Sequence, residues 1–146
     1  MSYIIRRVKA PRRKPTDAEL AILRVLWTRG PSTVRQIAAV MGRESGYTTF
    51  LKLLQIMTEK RLVVRDESSR THVYEAAYSQ DQTQRQLVTD LLERAFDGSA
   101  AQLVLQALAA ARSSPEELAE IRKLLRGAGD SVKNDDIDAR KTGGSR

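Results

Sequence analysis

Cysteine is absent from the 146 residues, histidine occurs once, as His72, and aromatic residues make up 5% of the chain. Without thiols there is no disulfide staple, no zinc–thiolate site and no cysteine nucleophile. A lone histidine at the start of a strand makes neither a metal site nor a catalytic dyad, so His72 reads as a solvent-facing or packing residue. No Gly-rich phosphate loop and no cluster of acids and bases at ligand spacing occurs. An enzyme is therefore not expected, nor a metal, a cofactor or a small-molecule ligand. Apolar runs such as Leu103 to Leu105 are far too short to cross a bilayer, and basic residues follow Tyr3-Ile4-Ile5 rather than precede it. The expectation is a cytoplasmic chain without membrane insertion, forming one ordinary domain or two small ones that share a core.

Charge is plentiful and unevenly placed. Of a net charge of +7, residues 1–15 carry six Lys and Arg against no acids, whereas residues 79–127 carry six against seven. A cationic front half joined to a mildly acidic back half suits a nucleic-acid-binding portion attached to a protein-binding one. The front arm, with Arg12 and Arg13 between Pro11 and Pro15, cannot be a continuous helix. It could follow phosphates or enter a minor groove, or simply keep the chain soluble.

From Thr16 the pattern is helical. Thr16 with Glu19 is the signature of a capping box, and Leu20, Leu23, Leu26 and Trp27 recur on one face up to Arg29. Gly30-Pro31 ends that helix, Ser32 or Thr33 caps the next, and Val34, Ile37, Ala38 and Met41 line its apolar side as far as Gly42. A third helix follows, with Ser45 as its expected N-cap and Phe50, Leu54 and Met57 as its inward stripe. Thr48, Lys52, Gln55 and Glu59 fall roughly opposite that stripe, with Thr49 at the flank, so small hydrogen-bonding side chains and one cation occupy exposed turns that a DNA major groove accommodates. Any amphipathic surface helix shows polar residues on its far side, so context decides. That context is two short helices before a longer third, the helix-turn-helix layout. Next come Leu62 to Asp66 and His72 to Ala76, read as a β-hairpin with Arg70 at its tip, which is the winged elaboration of that layout.

The runs Thr16 to Trp27, Gly30 to Ile37, Tyr47-Thr48-Thr49 and Glu59 to Val63 together resemble the penicillinase-repressor family, which includes the methicillin-resistance and copper-responsive repressors. The likeness covers about residues 16 to 127. It implies a dimeric winged-helix repressor on a pseudo-palindromic operator, with Tyr47, Thr48, Thr49 and Lys52 near DNA. Leu53 and Ile56 stand where relatives commonly carry a polar residue and an arginine, and Arg61 stands where they favour glycine. If that position is left-handed, Arg61 is strained by about 1 kcal/mol. In β-lactam-responsive relatives a membrane sensor protease relieves repression, and the repressor is cut between asparagine and phenylalanine. The matching bond is Gln106–Ala107, whose residues do not fit that pair, which argues against cleavage there. Copper-responsive relatives use cysteine thiolates, which this chain lacks.

Residues 79–127 return to helical spacing. Ser79 with Gln82 forms a second capping box, and Ser114-Pro115-Glu116-Glu117 is a strong helix start. The apolar positions Leu87, Leu91, Phe96, Leu103, Leu108, Leu118, Ile121 and Leu125 would be covered by an identical set in a second chain, or would pack on the winged unit. The expected organisation is an arm over 1–15, a winged-helix domain over 16–78, a helical dimerisation domain over 79–127 and an aperiodic flexible tail over 128–146. The fold class is mainly α with a small β-hairpin, and the function a DNA-binding transcriptional repressor. A winged-helix adaptor that binds proteins instead is the alternative from another class.

Overall fold

The structure, a computed structural model, describes residues 14–42 and 46–141, with side chains through residue 128. Arg12, Arg13 and Ser45 lie outside the described residues. Helix α1 spans Asp17–Arg29, and the Thr16 hydroxyl accepts the Glu19 N–H at 3.2 Å. Only this half of the expected capping box forms. Glu19 is 2% exposed, and its carboxylate receives the Lys60 ammonium at 2.7 and 2.8 Å. A charge-assisted bond to an ammonium is stronger than one to a neutral backbone N–H, so the side chain turns inward. The full box belongs to the next helix: α2, Val34–Met41, has Thr33 accepting from Gln36 N–H while Gln36 Oε1 accepts from Thr33 N–H.

Between these helices lies a strand that the sequence pattern does not reveal. Ser32–Thr33, β1, pairs antiparallel with Tyr74 and Val73. With β2, Val63–Asp66, and β3, Val73–Ala76, it makes a three-stranded sheet in the order β1-β3-β2, rather than a bare hairpin. Two residues are too few for an alternating pattern to show. Tyr74 sits on the middle strand and is fully buried.

Helix α3, Tyr47–Glu59, is capped by Gly46 and not by Ser45, and no side chain caps it. Phe50, Leu54 and Met57 are buried as expected, against Ile22, Leu23 and Leu26 of α1, Val34 and Ile37 of α2, and Leu62, Val63 and Tyr74. Each such side chain contributes about 1.5–3 kcal/mol by leaving water. The end of α3 is a Schellman turn. Leu62 N–H donates to Met57 O at 2.9 Å and Arg61 N–H to Thr58 O at 3.1 Å, with Arg61 left-handed at φ 62°. Leu62 and Met57, which flank this turn, are both buried, the hydrophobic contact that accompanies the motif. Three helices, with a sheet whose two longer strands project as a wing, constitute a winged helix-turn-helix.

The chain divides into two compact units after Glu93, inside α4, and not at the strand-to-helix switch after Tyr78. Helix α4, Gln80–Ala95, begins at the expected capping box of Ser79 and Gln82. Its first unit is tied together by Trp27 Nε1 donating to Tyr78 O at 2.9 Å and by a Lys14–Asp90 ion pair. In the second unit, α5 spans Ala100–Ala110 and α6 Pro115–Lys141. The Ser114 hydroxyl caps α6 by accepting from Glu117 N–H. Contrary to the expected stop at Gly127 and aperiodic tail beyond it, α6 continues to Lys141. Gly127 is not among the positive-φ glycines, and a right-handed glycine weakens a helix by about 1 kcal/mol without ending it.

Candidate nucleic-acid interface

One side of α3 is held by the core, and this decides what the other side offers. Tyr47, Thr48, Thr49, Lys52 and Gln55 are all exposed, with Tyr47 retaining 52% of its surface. Four of these carry uncharged groups able to donate or accept hydrogen bonds, the chemistry that base edges offer, and Lys52 adds one cation. Of the two departures from the family pattern within α3, Leu53 packs against the core, whereas Ile56 is exposed. An apolar group outside the stripe can contact a thymine methyl but cannot pair with a phosphate.

The orientation of α3 is held at its C-terminal end. There Lys60, the capping residue, donates to Glu19 and also to the Lys14 carbonyl at 3.1 Å. This node joins the root of the basic arm, α1 and α3. At its N-terminal end the first turns of α2 and α3 and the wing border an open cleft of about 530 Å³. Arg35, Tyr47, Leu51, Arg70 and His72 line it, together with Thr33, Val34, Thr71 and Tyr74. Arg70 was expected at the hairpin tip and is exposed there; its proximity to Tyr47 is new. Arg35 was not singled out from sequence. The available signal was that it follows the capped Thr33 and falls off the apolar face of α2, which leaves it facing solvent.

The wing is braced by its own polar groups. Asp66 accepts the Ser68 N–H at 2.9 Å, and the hydrogen bonds from Ser68 hold its carboxyl below the usual aspartate range. Arg65, directly opposite Tyr74 in the ladder, has its pKa raised first by the Tyr74 hydroxyl and then by Glu67, with which it pairs. In the remaining helices the expected dimerisation residues are none of them buried in the single chain. Leu91, Leu108 and Leu125 are exposed, the last at 60%, and Leu87, Phe96, Leu103, Leu118 and Ile121 are half-buried. Gln106 and Ala107 are exposed on α5. Among the described residues no helix is long and apolar enough to cross a membrane.

Residues 15–127 match a family model described as penicillinase repressor. The chain is 34% identical over 92 residues to the transcriptional regulator BlaI of Mycobacterium tuberculosis, in strain CDC 1551 / Oshkosh and in strain ATCC 25618 / H37Rv. Each overlap spans 61% of this chain and 67% of the relative. Among solved structures, the transcriptional regulator Tm0710 from Thermotoga maritima aligns with a TM-score of 0.43 and 14% identity, over 83% of this chain and 78% of that one.

Proposed function

Because this chain belongs to the penicillinase repressor family of transcriptional regulators, we propose that it represses transcription as a homodimer seated on a double-stranded DNA operator of two related half-sites. Two α3 helices enter successive major grooves about one helical turn apart, and the wings hold the flanking backbone. The observation that carries this reading is the face of α3 formed by Tyr47, Thr48, Thr49, Lys52 and Gln55, solvent-exposed on a helix whose other side is fixed in the core. Arg35 and Arg70, from two other elements, border the same end of that helix. Specificity comes from base-edge hydrogen bonds of the threonines and Gln55, and affinity from the arginines and the basic arm.

The second chain is supported by the apolar surface that α4, α5 and α6 leave uncovered, above all Leu105, Leu124 and Leu125 at 59%, 71% and 60% exposure. Exposed apolar side chains of this kind in a repressor that reads one half-site per chain suit a symmetric partner. Derepression by cutting at Gln106–Ala107 is not part of the proposal, since neither residue fits the pair at which relatives are cut. The test is a fluorescence titration of the full chain against its own promoter DNA and against random duplex at moderate salt. A preference for the promoter by two or more orders of magnitude is expected, and equal affinities would overturn the reading.

A further inference from the structure

The cleft beside α3 gathers an unusual set of groups. His72 had no role in the sequence reading beyond surface or packing, yet it shares the cleft with Arg35 from α2, Tyr47 from α3 and Arg70 from the wing, over the buried Tyr74 of β3. Among the described residues no carboxylate lines the cleft. Of the wing's acids, Asp66 is engaged by Ser68 and Glu67 by Arg65, and Glu75 is exposed on β3. Among its described lining residues the cleft therefore holds two permanent cations, one conditional cation and the hydroxyls of Thr33 and Thr71, and no anion. The chemistry complementary to such a set is a phosphate: two guanidiniums fork onto its oxygens, and an imidazolium donates to a third position.

We infer that this cleft seats a phosphodiester of the DNA backbone, gripped by Arg35 and Arg70 at any pH and by His72 when it is protonated. The inference rests on the DNA-binding reading and adds to it a specific seat and a coupling to protons. An anion held against an imidazole favours the charged ring, so each seated phosphate draws up to one proton from solution onto His72. DNA affinity then rises on acidification. The chain offers little else that could do this. It has no other histidine and no cysteine.

The experiment is a fluorescence-anisotropy titration of the full chain with a labelled mixed-sequence duplex, at fixed salt, between pH 5.5 and 8. Wild type should tighten on acidification, by as much as about tenfold per pH unit per chain at the steepest point. H72Q should lose that slope, with the gap from wild type widest at the acid end. H72K, a permanent cation, should bind at pH 8 with an affinity near that of wild type at pH 5.5. R35Q should lower the salt dependence by about one counterion per chain. Calorimetry of the wild type in two buffers of different ionisation enthalpy counts the protons taken up without any substitution. If duplex is not bound at any pH, the DNA-binding reading fails. If duplex is bound with no proton uptake, or with the same pH slope in H72Q, the seat is wrong while DNA binding stands.

Discussion

Arg61 occupies the left-handed position of the Schellman turn that ends α3, where glycine is the usual residue. A side chain there brings its Cβ against the carbonyl oxygen, at about 1–2 kcal/mol, and glycine removes this clash. Glycine also gains freedom in the unfolded chain, which returns about 0.4–1 kcal/mol. Arg61→Gly should therefore exceed Arg61→Ala in stability by about 0.5–1 kcal/mol, or about 2–8 °C in midpoint for a domain of this size. Comparison with alanine isolates the backbone, because both variants lose the same exposed guanidinium. The assay is urea and thermal unfolding followed by circular dichroism, with the denaturant slope checked for constancy. An alanine variant as stable as the glycine one would refute the reasoning, since the left-handed geometry would then carry no cost.

Other consequences concern the node, the interface and the wing. Lys60→Met strands the Glu19 carboxylate in a nearly closed site, and breaking one side of a buried pair costs about 3–5 kcal/mol. The 15% exposure left to Lys60 points to the lower end, readable by urea unfolding. Thr49→Ala should blur one operator position, by about 1–3 kcal/mol of discrimination, whereas Arg70→Ala should weaken all duplexes alike; a panel of single-base operator variants separates the two. Leu125→Asp should reduce the solution mass to that of one chain by light scattering, because a charge replaces an apolar contact at the proposed partner surface. The Asp66 bond to Ser68 holds a depressed folded-state pKa, so its contribution to the wing is complete above the ordinary aspartate range and fades as pH falls through the lowered value. A carbon-detected NMR titration should find the Asp66 midpoint below that of an unfolded aspartate.

Helix starts were legible wherever the cap is local. Thr16, Ser79 and Ser114 each accept the N–H three residues on, a bond that needs only the turn itself. The inward stripe of α3 was legible for the same reason, since Phe50, Leu54 and Met57 repeat at the helix period. Errors arose where a residue had a distant competitor. Glu19 was read as a cap partner because Thr16 is near in sequence, yet it bonds Lys60, forty-one positions away. β1 was invisible because its two residues become a strand only through Tyr74 and Val73.

Periodicity, caps and turn residues are properties of neighbours along the chain, and from them alone came the three helices, the hairpin, the outward set on α3 and the likeness to a repressor family. The closed core decided the rest: that Glu19 is buried against Lys60, that Arg61 takes up a left-handed turn, and that Arg35, Arg70 and His72 meet at one cleft beside Tyr47. Residues brought together from separate elements acquire their charge environment and their partners only when those elements pack, and no spacing in the sequence records that distance.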